Sequence, residues 1–173
     1  MALIVEDGTC KPNAQSWASV AEWKDYFSKR GNATAAALSD TVIEQKLVLA
    51  ADYIKTNYGD RFKGVQIRKE QALPWPRYGA WIHDDTFLID ATEIPAELKF
   101  AQIEVGWAAV DMDISPNVDV GDPQITTEIV GPIEVQYDVS NSSKLMQPIL
   151  RTAEGWLRLL LERSSNTKRL VRS

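Results

Sequence analysis

Gln71-Ala72-Leu73-Pro74-Trp75-Pro76-Arg77-Tyr78 sets two prolines around a tryptophan. Each proline fixes its own φ and pushes the residue before it out of the α region, so this stretch is extended or turned and not helical. An extended segment here lays Leu73 and Trp75 across neighbouring elements. Leu73, Trp75, Pro76 and Arg77 therefore read as a structural clasp between two halves of one domain. A binding role for Trp75 and Arg77 is the second reading. Packing is favoured, because buried aromatics dominate core energetics.

Upstream, Ser19-Val20-Ala21-Glu22 has the spacing of a capping box. The helix it opens carries Val20, Trp23, Tyr26 and Phe27 on one face, and Gly31-Asn32 ends it. Ala33 to Leu38 reads as a small-residue linker. Ser39, Asp40 or Thr41 caps a longer helix that stops at Gly59, and Thr41 with Glu44 repeats the capping-box spacing. Its Ile43, Leu47, Ala50, Ile54 and Tyr58 recur at three- and four-residue steps. For that stripe, core burial is favoured over a partner-binding face. Residues 1–15, broken by Gly8, Pro12 and Asn13, read as an irregular arm.

Downstream, Val65 to Arg68 and Thr86 to Ile89 are short extended pieces. Pro95 suits the first helical position of a helix that runs to about Met112. Leu98, Ala101, Val105, Ala108 and Met112 line one side of it; Phe100, Ile103, Trp107 and Val110 take much of the other. A helix apolar on most sides is a central one. Glu97 and Glu104 read as solvated carboxylates. Thr127, Ile129, Ile133, Val135 and Tyr137 alternate around Gly131-Pro132, the pattern of a β-hairpin. A lone two-stranded ribbon is marginal in water, so it must meet another strand, a helix or a neighbouring subunit. Pro148 opens the last helix, with Ile149, Ala153, Trp156, Leu157, Leu160 and Leu161 on its apolar face.

The expected architecture is mainly α: a small bundle of about four helices, an inserted β-hairpin and an extended C-terminal tail. Residues 1–163 form one domain, with an acidic loop and the hairpin at 113–140. Residues 164–173 are polar and basic. Leu170 and Val171 between Arg169 and Arg172 suit a docking peptide that folds on binding; a frayed terminus explains the same composition.

Composition excludes more than it assigns. The net charge of −5 has the wrong sign for a body that grips DNA non-specifically; it suits a wall past which DNA slides. One cysteine, Cys10, and one histidine, His83, leave no internal disulfide, zinc site or thiol–imidazole pair, and a free thiol suits a reducing cytosol. No apolar run approaches membrane-spanning length, and the first residues do not resemble a signal peptide. His83-Asp84-Asp85 reads as a solvated turn. The alternating acids from Asp111 to Asp122 put Pro116 where a calcium loop needs glycine. No Walker loop, GxGxxG, GxSxG, HExxH or paired CxxC is present, so neither enzyme chemistry nor a cofactor is expected.

Several stretches in order resemble a family of tailed phages and prophages labelled DnaT-like single-stranded-DNA-binding proteins, whose members are also described as head–tail connectors or adaptors. They are Val5-Glu6-Asp7-Gly8; Ser19-Val20; Tyr26-Phe27 with Arg30-Gly31; Ala51 and Tyr53; Gln71, Leu73 and Trp75-Pro76-Arg77; and Ile94-Pro95 with Glu97, Lys99, Ala101 and Glu104. Gly131-Pro132-Ile133-Glu134-Val135 with Tyr137, and Arg169-Leu170-Val171-Arg172, complete the set. Trp17 stands where tyrosine is common in the family.

The resemblance implies a virion protein, made in the host cytoplasm. It implies a homo-oligomeric ring of about twelve copies beneath the portal protein, a next neck or tail protein below, and DNA passing through without specific binding. The tail Lys168, Arg169, Leu170, Val171 and Arg172 would dock on the portal. The hairpin residues Ile129, Ile133, Val135 and Tyr137 would meet the next subunit. The alternative function is the single-stranded-DNA binding of the family label. One region mixes bases and aromatics as that needs: Arg61, Lys63, Arg68, Lys69, Trp75, Arg77, Tyr78 and Trp81.

Overall fold

The structure is a computed structural model and describes residues 3–82, 86–114, 127–130, 133–136 and 150–162. Its helices are α1 (Val20–Lys29), α2 (Ala33–Ala36), α3 (Asp40–Tyr58), α4 (Ala96–Asp111) and α5 (Arg151–Leu157). Three antiparallel ribbons pair β1 (Val65–Gln66) with β2 (Arg77–Tyr78), β3 (Trp81–Ile82) with β4 (Phe87–Leu88), and β5 (Thr127–Val130) with β6 (Ile133–Gln136). The fold is mainly α with small β-hairpins, as the sequence indicates. Among the described residues it holds one helix more than expected, and three ribbons in place of one.

Local chemistry sets the boundaries. Ser19 and Glu22 form the capping box reciprocally: the Ser19 hydroxyl accepts the Glu22 N–H, and the Glu22 carboxylate accepts the Ser19 N–H. The second proposed box does not form. Ser39 is the N-cap of α3 without a side-chain hydrogen bond, and Thr41 lies inside the helix. The expected linker at 33–38 instead contains α2, because the Asn32 side chain caps Ala35 N–H at 3.1 Å. Pro95 is the N-cap of α4 and not its first turn. Met112 lies beyond the helix and is exposed.

α4 packs against α3 and α5, while α1 packs against α2 and α3. The two apolar sides of α4 feed two cores. Leu98, Ala101, Val105 and Ala109 join Trp17, Ala50, Ile54, Tyr58, Phe62, Leu73, Trp75 and Leu157. Ile103 turns the other way, to Trp23, Tyr26, Phe27, Ala35, Ile43 and Leu47, with Phe100 and Trp107 at its margin. Each large aliphatic side chain so buried contributes about 1.5–3 kcal/mol. Gly106 lets the Trp23 ring lie against α4: a Cβ there would sit 2.7 Å from that ring. Gln102, fully buried between the two cores, is one of the few buried polar side chains among the described residues. Its carbonyl accepts Trp17 N–H and Ala18 N–H, and its amide donates to Ser16 Oγ and Leu47 O.

The N-terminal arm is irregular, as expected, and it is anchored. Val5 bridges Ser16 in parallel. The buried Glu6 carboxylate accepts the N–H groups of Gly8, Cys10 and Lys11 at 2.7–3.0 Å. Cys10 takes φ 62° in that loop, and burial, then the Glu6 charge, pushes its thiol pKa up. At the other end, Phe62 bridges Leu161 antiparallel, fixing the exit of α5 beside the start of β1. Among the described residues no helix is long and apolar enough to cross a membrane.

Candidate nucleic-acid interface

The Trp–Pro stretch lies in the loop between β1 and β2, and its side chains point inward. Trp75 is fully buried, with its ring edge-on to Phe62 and its carbonyl accepting the Trp17 indole N–H at 3.3 Å. Leu73 is buried beside it. Gln71 closes the loop from within: its amide donates to Leu73 O and Pro76 O, and its carbonyl accepts Arg68 N–H. Arg77 donates to Lys63 O at 2.8 Å, Gly64 O at 2.7 Å and Pro74 O at 3.4 Å. Burial lowers the pKa of its guanidinium from the usual value. Trp75 and Arg77 therefore leave the basic–aromatic patch read from the sequence: one is core, and the other holds carbonyls.

What remains of that patch is on the surface. β1 pairs Val65 with Tyr78, placing both on one face. β3 pairs Trp81 with Leu88 in the same way. Tyr78 is 66% exposed, Trp81 42% and Phe87 60%, with Val65, Ile67 and Leu88 also open to solvent. Only Gly79 and Ala80 separate β2 from β3. The Cα atoms of Tyr78 and Trp81 thus lie at most about 11 Å apart.

Gly64 makes the first ribbon possible. It takes φ +75°, and a Cβ there would meet Tyr78 O at 2.5 Å. With Arg77 gripping the carbonyls of Lys63 and Gly64, the strand bearing Tyr78 is fastened to the chain bearing Lys63.

The charge of this region opposes that of the chain. Residues 61–82 hold Arg61, Lys63, Arg68, Lys69 and Arg77 against the single acid Glu70, in a chain of net charge −5. Arg68 and Lys69 are exposed. Among the described residues, none of Arg61, Lys63, Arg68 or Lys69 is held in an ion pair. Asp84 and Asp85 follow in the β3–β4 connection, where 83–85 lie outside the described residues.

Phe87 pairs with Ile82, on the opposite face of its ribbon from Trp81 and Leu88, and is a further exposed ring that escaped the sequence reading. Its run, Thr86-Phe87-Leu88-Ile89, is short and has no polar–apolar alternation, so periodicity does not say which face is open. The hairpin expected at Thr126–Asp138 forms as β5–β6, with Glu128 opposite Val135 and Ile129 opposite Glu134. The side chains of Ile129, Ile133 and Val135, and Tyr137 altogether, lie outside the described residues, as do Lys168, Arg169, Leu170, Val171 and Arg172. The same holds for most of the acidic run from Asp111 to Asp122. Among the described residues no group of three or more His, Cys, Asp or Glu could hold a metal.

A second concavity, about 310 Å³, lies between α1 and α4. Its charges are already engaged: Lys99 meets Glu22 at 2.7 Å, Lys29 meets Asp25 at 2.7 Å, and Arg30 lies over the Tyr26 ring. Glu104, expected to be solvated, is half-buried and accepts the Tyr26 hydroxyl at 2.5 Å.

The ribbon surface thus offers exposed rings beside cations that form no ion pair among the described residues, the two components of a single-strand binding face. No curated protein and no solved structure matches the chain. Residues 1–173 match the family described as "Putative DnaT-like ssDNA binding protein", and the chain belongs to that family.

Proposed function

We propose that this protein binds single-stranded DNA across the outer face of the β1–β2 and β3–β4 ribbons. Unpaired bases stack on Tyr78 and Trp81, and Arg61, Lys63, Arg68 and Lys69 draw the phosphates. One observation carries the reading: large aromatics stand in solvent on short, fastened ribbons beside the positive segment of an acidic chain. Base–aromatic stacking contributes about 1–3 kcal/mol per base and tolerates any sequence. Duplex DNA hides its base faces, so the surface favours single strands. The family description supports the same reading.

The test is equilibrium binding of labelled oligo(dT) and of duplex DNA to the full chain across a salt series, with tryptophan fluorescence as a second signal. Preference for the single strand, quenching, and affinity falling with salt are expected. Absence of single-strand binding at low salt refutes the proposal.

A second reading, a structural head–tail connector, draws on one observation. Val65, Ile67 and Leu88 are exposed aliphatics on the same surface, and contiguous exposed apolar area also marks protein interfaces. In that reading the ribbons meet a neighbouring copy in a ring under a portal, and the acidic body lines a DNA channel. Size-exclusion chromatography with light scattering, with and without a portal ring, separates the two. Co-elution with the portal supports the connector; a monomer that ignores the portal and binds oligo(dT) supports the DNA-binding protein.

A further inference from the structure

We infer that Arg77 is the positioning residue of the single-stranded-DNA site: it touches no nucleic acid itself and holds the phosphate-drawing Lys63 and the base-stacking Tyr78 in one fixed arrangement; this rests on the ribbon reading above. Its place in the chain sets up the role. Arg77 immediately precedes Tyr78 in β2, and successive strand residues face opposite sides. Tyr78 stands in solvent, while Arg77 is half-buried. Its Nε donates to Lys63 O at 2.8 Å, Nη2 to Gly64 O at 2.7 Å and Nη1 to Pro74 O at 3.4 Å. One planar fork thus joins the root of β1 to the Trp–Pro loop.

Two facts make this more than a brace. The β1–β2 ladder has only two residue pairs, Val65 with Tyr78 and Gln66 with Arg77, and so short a ribbon is marginal without other contacts. The groups it fastens are also the two halves of the binding chemistry. Lys63 forms no ion pair among the described residues, and it is the residue whose carbonyl Arg77 holds. Tyr78 is the residue next to Arg77. Fixing both before DNA arrives removes the ordering cost at binding, so cation and ring act as one unit. Asp60 and Glu162 lie near enough to favour the guanidinium charge. Lysine cannot replace it, because an ammonium is a point charge and not a fork.

The experiment titrates the full chain with oligo(dT) over a salt series, at a temperature well below the Tm of each variant. It compares wild type, Arg77→Lys and Arg77→Gln, and carries Lys63→Gln, Tyr78→Ala and their double through the wild-type and Arg77→Lys backgrounds. Arg77→Lys keeps the charge and should still lose about tenfold in affinity, as Arg77→Gln does. The two should share one salt slope, since a phosphate contact would separate them by about 0.7. In wild type the Lys63/Tyr78 double should lose at least about threefold less than the product of the single losses; in Arg77→Lys the losses should simply multiply. Nuclear magnetic resonance of the wild type, which needs no substitution, should show the Arg77 Nε–H protected from exchange and without contact to bound oligo(dT).

Arg77→Lys binding as tightly as wild type overturns the inference, as does a slope about 0.7 lower in Arg77→Gln than in Arg77→Lys. Independent Lys63 and Tyr78 losses in wild type, or an Arg77–oligonucleotide contact in the spectra, also overturn it. Each of these leaves the ribbon site standing. A wild type that does not bind oligo(dT) overturns both.

Discussion

The side-chain carbonyl of Gln102 accepts the backbone N–H of Trp17 at 3.0 Å and that of Ala18 at 2.9 Å, in the interior between the two cores. It joins the centre of α4 to the segment entering α1. Gln102→Leu keeps the volume, strands the Trp17 N–H and leaves the Ala18 N–H only its 3.2 Å bond to Ser16 Oγ. An orphaned buried group costs about 1–3 kcal/mol, so the variant should lose about that much and roughly 2–12 °C in Tm. Thermal unfolding followed by circular dichroism checks this; a Tm equal to the wild type's would remove Gln102 as the hub.

Two tryptophans near one another in sequence should behave oppositely. Trp81→Ala, at an exposed ring, should weaken oligo(dT) binding by about 1–3 kcal/mol and leave Tm nearly unchanged. Trp75→Ala opens the larger core and should cost about 3–5 kcal/mol of stability. Tyr78→Ala should follow Trp81. Paired binding and melting curves decide it, and the assignment fails if Trp81→Ala melts early and binds normally.

In the proposed site Arg68 and Lys69 act through charge alone. Replacing both with glutamine should make the salt slope shallower by about 1.4 while the preference for single over double strands persists. A slope unaffected by the double substitution would show that these cations do not face the phosphates.

Gly64→Ala sets a Cβ against the Tyr78 carbonyl at 2.5 Å, in backbone at φ +75°. Backbone strain of this kind costs on the order of 1–3 kcal/mol. The ribbon should open, and Tyr78 should lose its presentation. The expected signature is faster amide exchange at Val65 and Tyr78, together with weaker DNA binding. Native-like protection at both positions would show that the ribbon accommodates the methyl group.

Alkaline stability should report two buried tyrosines. Burial, then the Glu104 hydrogen bond and charge, pushes the Tyr26 pKa up to about 12. Burial and Glu154, whose carboxylate accepts the Tyr58 hydroxyl at 3.0 Å, raise that of Tyr58 as well. An unfolded tyrosine ionises near pH 10. Above that pH the unfolded chain sheds protons that the folded chain keeps, so this stability is complete below about pH 10 and is lost as pH rises through about 12. Denaturant melts of Tyr26→Phe/Tyr58→Phe should show a flatter decline over that window than the wild type. Parallel declines would assign the alkaline loss to other groups.

The sequence by itself determined α1, α3 and α4 and which faces they bury. The capping box at Ser19, the stripe from Ile43 to Tyr58 and the two-sided apolar pattern of α4 are local or periodic signals, and each matches the burial found. It also placed the bases and aromatics of the candidate site in one region. Tertiary structure alone decided which of them face water. Trp75 and Trp81 carry the same indole in neighbouring extended segments, where period-two alternation permits either face. Pairing register and the Arg77 grip on Lys63 and Gly64 turned one inward and the other outward. The Gln102 hub and the Phe62–Leu161 bridge were likewise illegible, because they join residues roughly 85 and 100 positions apart, and no local pattern encodes such pairings.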